Sequence, residues 1–134
     1  MPAVQALKKI GAPFTQEEKV LKVRYDFSRD GGAIGTYDLF QASQECVITG
    51  FHAVVKAAVT SGGSATVELG STGDTDRFVT AKAPAALTIN TVLPEDGAFN
   101  QVLRLVAGDT ISMTVATAAL TAGVIEATIK VQKA

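Results

Sequence analysis

The sequence predicts an all-β protein: an antiparallel, jelly-roll-like β-sandwich of about eight strands, preceded by an extended N-terminal arm. Three observations carry this reading. Apolar and polar residues alternate with period two over most of the chain, as strands with one face in a core require. Clusters of Gly, Asp and Ser recur at the short intervals typical of sandwiches and barrels. No segment keeps helical periodicity long enough to serve as a βαβ crossover. An immunoglobulin-type sandwich is the competing arrangement. Its usual buried Trp and paired cysteines are absent.

The chain divides into an arm, residues 1–16, and one sandwich domain, residues 17–134, a length that can bury a core without staples. In the arm, Leu7, Ile10 and Phe14 are spaced for one helical turn, which Gly11 and Pro13 break. Such apolar pegs have no partners in their own segment. They are expected to dock on a surface outside their own segment, that of a neighbouring subunit or of another partner, while the sandwich folds without them.

From Lys19 the period becomes two, with Leu21, Val23, Tyr25 and Phe27 on one face and Lys22, Arg24 and Asp26 on the other. Ser28 to Gly32 reads as a turn, Thr36–Phe40 as a short strand and Gln41–Gln44 as a connection. Glu45–Thr60 is the longest strand. Its odd positions from Val47 to Val59 form a nearly unbroken apolar face. Its even positions are mixed, with Cys46, Ile48, Val54 and Ala58 beside His52 and Lys56. Ser61–Ser64 reads as a tight hairpin loop into the alternation of Ala65, Val67 and Leu69. Residues 70–76 read as a polar loop, and Arg77–Ala86 as an ambiguous segment, one helical turn ended by Pro84.

Leu87–Leu93 has a strand pattern closed by Pro94 to Gly97. Asn100–Val106 and Asp109–Thr117 flank an Ala-Gly-Asp corner and read as a second hairpin. In the last strand, Ala122–Val131, Val124 stands out of phase with Ile125, Ala127, Ile129 and Val131. The apolar phases predict a core of Phe51, Val55, Ile111, Met113, Val115, Ile125 and Ile129.

Composition excludes more than it assigns. Twelve basic residues against thirteen acidic ones leave a net charge of −1, with no clustered basic face for nucleic acid. No run of about eighteen apolar residues exists to cross a membrane, and no apolar h-region marks a signal peptide. Only 19% of residues are charged, below the roughly 25% usual in soluble domains. Either part of the surface is hidden against a partner, or an Ala-rich core lies beneath a Thr/Ser exterior.

Reaction chemistry is sparse. Cys46, the single cysteine, reads as a small buried hydrophobe, and no disulfide within the chain is possible. His52 is the only histidine, which excludes a metal site of two histidines and favours a structural or interface role. Asp74 and Asp76 with Thr72 and Thr75 lack the carboxylate count of a calcium cage and read as a polar loop. Neither Gly31-Gly32 nor Gly62-Gly63 leads into the Lys-Ser/Thr pair of a phosphate loop. No catalytic, cofactor-binding or metal-binding residue is assigned, and the expectation is a non-enzyme.

Two stretches carry a family resemblance. Ala58 to Gly70, containing Ser-Gly-Gly-Ser-Ala-Thr-Val, precedes an Asp-containing loop and Arg77-Phe78-Val79. Leu105 to Ile111 and then Ala116 to Gly123, containing Thr-Ala-Ala-Leu-Thr-Ala-Gly, follow. Together they resemble small head decoration (cement) proteins of tailed bacteriophages, over roughly residues 45–132.

The resemblance implies jelly-roll dimers or trimers on the outer capsid surface that bridge major capsid protein subunits and hold the shell against internal pressure. It also implies assembly in the host bacterial cytoplasm. The alternative is a phage tail or knob component, or a receptor-binding jelly-roll module. The half-apolar second face of the longest strand adds the expectation of a homo-oligomer, a homotrimer favoured over a homodimer. Candidate capsid or oligomer contacts are Leu7, Ile10 and Phe14 of the arm with Ile48 and Val54 of that face.

Overall fold

In the computed structural model, residues 19–94 and 103–133 are described here, and they build two stacked antiparallel sheets. In chain order the strands are β1 (Lys19–Asp26), β2 (Gly35–Gln41), β3 (Cys46–Ser61), β4 (Thr66–Ser71), β5 (Asp74–Lys82), β6 (Val92–Leu93), β7 (Leu103–Leu105), β8 (Thr110–Ala116) and β9 (Leu120–Lys133). The first sheet runs β1-β9-β3-β6, with β7 pairing the same edge of β3 as β6 does. The second runs β2-β8-β4-β5. A single helical turn, α1 (Phe27–Asp30), follows β1, and a 3-10 turn at Pro84–Ala86 follows β5. The arm residues Leu7, Ile10 and Phe14 lie outside the described residues.

The core is the one that the alternation predicts. Phe51, Val55, Ile111, Met113, Val115, Ile125 and Ile129 are all buried between the sheets. Two aromatic pairs join the layers. Phe51 of β3 stacks on Phe78 of β5 with ring centroids 4.2 Å apart, and Tyr25 of β1 meets Tyr37 of β2 edge-on at 5.2 Å. Such contacts add about 0.5–1.5 kcal/mol beyond their burial.

Pairing differs from expectation at both predicted hairpins. The loop after Ser61 does not fold β4 back on β3. It carries the chain from the first sheet to the second, where β4 pairs with β8 and β5. The Ala-Gly-Asp corner is likewise a crossing, because β7 pairs with β3 while β8 pairs with β2 and β4. Gly108 sits there at φ +95°, and the Asp109 carboxylate accepts the Val106 amide at 3.0 Å. Alternation specifies a face but not a neighbour, and both crossings have ordinary turn residues.

Crossings at one end of the sandwich are tied together. The Ala42 amide donates to the Asp109 carbonyl at 2.9 Å, and the Gly108 amide donates to the Ala42 carbonyl at 2.8 Å. The β2–β3 and β7–β8 connections therefore brace each other. At the far end, the Ser61 hydroxyl donates to the Ala119 carbonyl at 2.7 Å and receives the Gly63 amide at 3.1 Å.

Three further corrections concern local structure. The stretch expected as a polar loop and a helical turn contains β5, paired with β4 across a tight turn at Thr72-Gly73, with only the 3-10 turn at its end. Irregular pairing there puts consecutive residues Phe78 and Val79 both inside, so no alternation marks the strand. The Leu87–Leu93 strand shrinks to Val92–Leu93, although backbone bonds from Val59 to Leu87 and from Val55 to Thr91 keep the segment beside β3. Phe27 leaves β1 for α1, whose N-cap Asp26 accepts the Ser28 amide at 2.9 Å.

Candidate docking surface

The outer face of the first sheet is built by the phase opposite to the core. Across it, Arg24 of β1, Glu126 of β9, Val54 of β3 and Val92 of β6 lie in register, and Lys22, Thr128 and His52 form the adjacent row. Glu126 ties three strands together. Its carboxylate pairs with Arg24 at 3.2 Å on one side and with Lys56 at 3.9 Å on the other. Arg104 of β7 pairs with Glu45 on the same face. Arg24, Lys56, Arg104 and Glu45 are substantially exposed and Glu126 partly so. Each pair therefore contributes little to stability, and their value is in fixing a charged pattern on this face.

Beside the charges runs a small apolar step. Val54 is half-buried, and its register neighbour Val92 is 53% exposed. Ile48 does not belong to this face. It is fully buried, because β3 slips against β9 between Ile48 and Gly50 and the strand exchanges its faces there. Cys46 and Ile48 point inward before the irregularity, and Phe51, Ala53 and Val55 after it. Extrapolating one phase along the whole of β3 placed Ile48 outside, a correction that removes it as a contact candidate.

The outer face of the second sheet is a hydroxyl surface. Thr36 and Thr114 approach at 3.4 Å, Thr72 and Thr110 at 3.3 Å, and Thr75 donates to Glu68. The two faces thus differ in chemistry, with charges and valines on one and threonines on the other.

A cleft of about 420 Å³ opens where the sheets part at the end of the sandwich. Leu21, Phe40, Cys46 and Val131 contribute apolar surface to it, and Lys19 and Lys133 stand in its wall. Sequence reasoning missed this feature. It depends on β1, β2 and β9 ending near one another, which alternation does not encode.

None of these surfaces assembles a reactive site. The Cys46 thiol is buried, and burial followed by the nearby Asp109 charge raises its pKa. It is therefore less prone to form thiolate than an exposed cysteine. His52 is exposed on the outer face. The Asp76 carboxyl pKa is raised, chiefly by its hydrogen bond with Asp74. Among the described residues no group of three or more His, Cys, Asp or Glu side chains is gathered for a metal. Tyr25 is buried and Tyr37 half-buried, so neither presents a flat ring to a sugar. No helix among the described residues is long and apolar enough to cross a membrane.

With this geometry in hand, likeness to solved structures is informative. A chain of the cyanophage Pam1 capsid asymmetric unit aligns over 100% of both chains, with a TM-score of 0.64 and 17% identity. A chain of the Ralstonia phage GP4 capsid aligns over 97% of this chain and 94% of its own, at 0.59 and 15%. A chain of the acid-stable capsid of Helicobacter pylori bacteriophage KHP30 aligns over 86% of each, at 0.57 and 10%. This fold occurs in phage capsids. Neither a protein-family model nor a curated protein sequence matches the chain. At these identities the likeness is one of fold.

Proposed function

We propose that this protein is a structural component of a phage virion, a decoration or cement protein that binds the outer capsid surface. There it bridges neighbouring major capsid protein subunits. The observation that carries this reading is the end-to-end match of its fold to a chain of the Pam1 capsid asymmetric unit. The surface chemistry supports it: two outer faces of different character, one carrying charges and valines and the other threonines. Bridging stabilises a shell by burying surface across subunit boundaries, and about 1,200–2,000 Å² per contact suffices for a specific interface. Repetition over a symmetric lattice multiplies a modest single contact. The protein acts as a homo-oligomer, a trimer in preference to a dimer, assembled with the shell in the bacterial cytoplasm. Val54 and the arm residues Leu7, Ile10 and Phe14 contribute contacts.

The test is addition of purified protein to cognate shells assembled without it. Saturable uptake at a fixed ratio to major capsid protein, with a raised shell-disruption temperature, is the expected result. Absence of uptake overturns the reading, and binding to tails or to host cells instead assigns the tail or receptor-binding alternative.

A further inference from the structure

We propose that the cleft at the end of the sandwich receives the N-terminal arm of a second copy, with Phe14 as the inserted side chain, so that oligomers form by arm exchange. The inference deepens the homo-oligomeric reading above and rests on it.

The cleft and the arm match in chemistry. The cleft has an apolar floor, from Leu21, Phe40 and Val131, and two lysines in its wall, Lys19 and Lys133. Neither lysine has an ion pair with another described residue. The segment before Lys19 reads Phe14-Thr15-Gln16-Glu17-Glu18, one aromatic peg followed by two carboxylates. An aromatic ring suits the floor, and the carboxylates suit the lysines.

The position of the segment also fits. Lys19 lies in the cleft wall and pairs with Val131 in β1–β9 register, so the chain enters the fold at this mouth. Phe14 stands five positions earlier, a reach of at most about 18 Å when extended. Returning to its own cleft would need a reversal within Thr15–Glu18. That stretch contains no Gly, Pro, Asn or Asp, the residues that make tight reversals inexpensive. An arm that continued the direction of β1 would leave its own mouth and make Phe14 available to a neighbouring one. Because each copy both donates and receives, the contact is head-to-tail and closes into a ring when the rotation permits.

The native thiol makes the idea measurable. Cys46 lines the cleft and is the only cysteine, so Phe14→Cys creates a candidate disulfide within the cleft, which requires Cα atoms within about 7 Å. Mild oxidation of the full chain carrying Phe14→Cys should give covalent oligomers on non-reducing gels, and the parent, with Cys46 alone, should not. Equal cross-linking of the parent would be a Cys46–Cys46 link and would overturn exchange. The double variant Phe14→Cys/Cys46→Ala should lose them. A cross-linked monomer of increased mobility would show the arm in its own cleft and overturn exchange. Cross-linking that survives in the double variant would place two arms together, outside the cleft, and also overturn it.

Sedimentation of the full-length Phe14→Ser variant supplies a readout independent of thiol reactivity. Self-association should weaken at least tenfold at unchanged melting temperature. Association equal to the parent's overturns the proposal while leaving the oligomeric reading intact, whereas a parent protein that is strictly monomeric removes both. Shell uptake, measured separately, decides the capsid reading alone.

Discussion

The Tyr25 hydroxyl donates to the Gly31 carbonyl at 2.6 Å, closing the turn that carries the chain from the first sheet to the second. The residue is fully buried, and its hydroxyl meets the carbonyl of Gly31, the residue that caps the C-terminus of α1. Tyr25→Phe keeps the ring and removes this bond. It should cost about 1–2 kcal/mol, the usual consequence of leaving a buried polar partner unmade. Chemical denaturation of the variant against the parent checks it, and an unchanged midpoint counts against the role.

The same hydroxyl predicts an alkaline limit. Burial, followed by the Tyr37, Asp30 and Asp26 charges, pushes the Tyr25 pKa up to about 12 from an ordinary 10.0. A folded-state pKa above the unfolded one means that the neutral hydroxyl contributes fully below pH 10. That contribution is lost as pH rises from there towards 12. Ultraviolet titration should show tyrosine ionisation delayed beyond the normal range, with unfolding accompanying it. Ordinary titration of both tyrosines would contradict the buried hydrogen bond.

Core truncations test the two-sheet packing. Ile111 and Ile129 are both fully buried, on β8 and β9. Ile111→Ala or Ile129→Ala should each cost about 2–5 kcal/mol through lost transfer energy and a residual cavity. Denaturant midpoints read the cost directly, and unchanged values would place these side chains outside the core.

Gly32 is fixed by space. A Cβ there would stand 2.2 Å from the Leu120 carbonyl oxygen, and the Gly32 carbonyl already accepts the Leu120 amide at 2.8 Å. Gly32→Ala must push β9 away from the β1–β2 connection. A loss of about 2–4 kcal/mol is expected, with thermal unfolding as the measurement. A variant as stable as the parent would show that this junction yields.

The outer-face charges make the opposite prediction. Glu126→Gln breaks both pairs of an exposed network, so stability should fall by less than about 1 kcal/mol, and less still in high salt. Val54→Asp should leave the melting temperature within a few degrees, since its side chain lies outside the core, and should reduce shell uptake. Uptake unaffected by Val54→Asp would move the contact to another face.

Removing residues 1–16 tests the arm. The shortened protein should keep its melting temperature and lose uptake by shells, because ordering such a segment on its own costs about what its three apolar side chains return on burial. Failure of the truncated chain to fold would make the arm part of the core.

What the sequence discloses about this fold follows from what alternation encodes. Side-chain phase is local, so the buried faces of β1, β8 and β9, and every predicted core residue, could be read from it. Strand partners are non-local. The corner at Val106–Asp109 looks the same whether it closes a hairpin or switches sheets, and it switches sheets. A bulge adds one residue and inverts everything beyond it, which is why Phe51 was legible and Ile48 was not. The outer-face position of Val54 was legible for the same reason. The cleft was not, being made where three strands distant in sequence happen to end.

The length of β3 and β9 has a mechanical meaning. They are the longest strands, 16 and 14 residues, and they pair from Cys46–Lys133 to Ser61–Leu120. A pull along this axis loads the rungs of the ladder side by side, so they must fail together. A force that lifts β5 or β2 from a sheet edge meets its bonds one after another. The molecule is therefore a strut with a grain, stiff along one direction and readily peeled across the other.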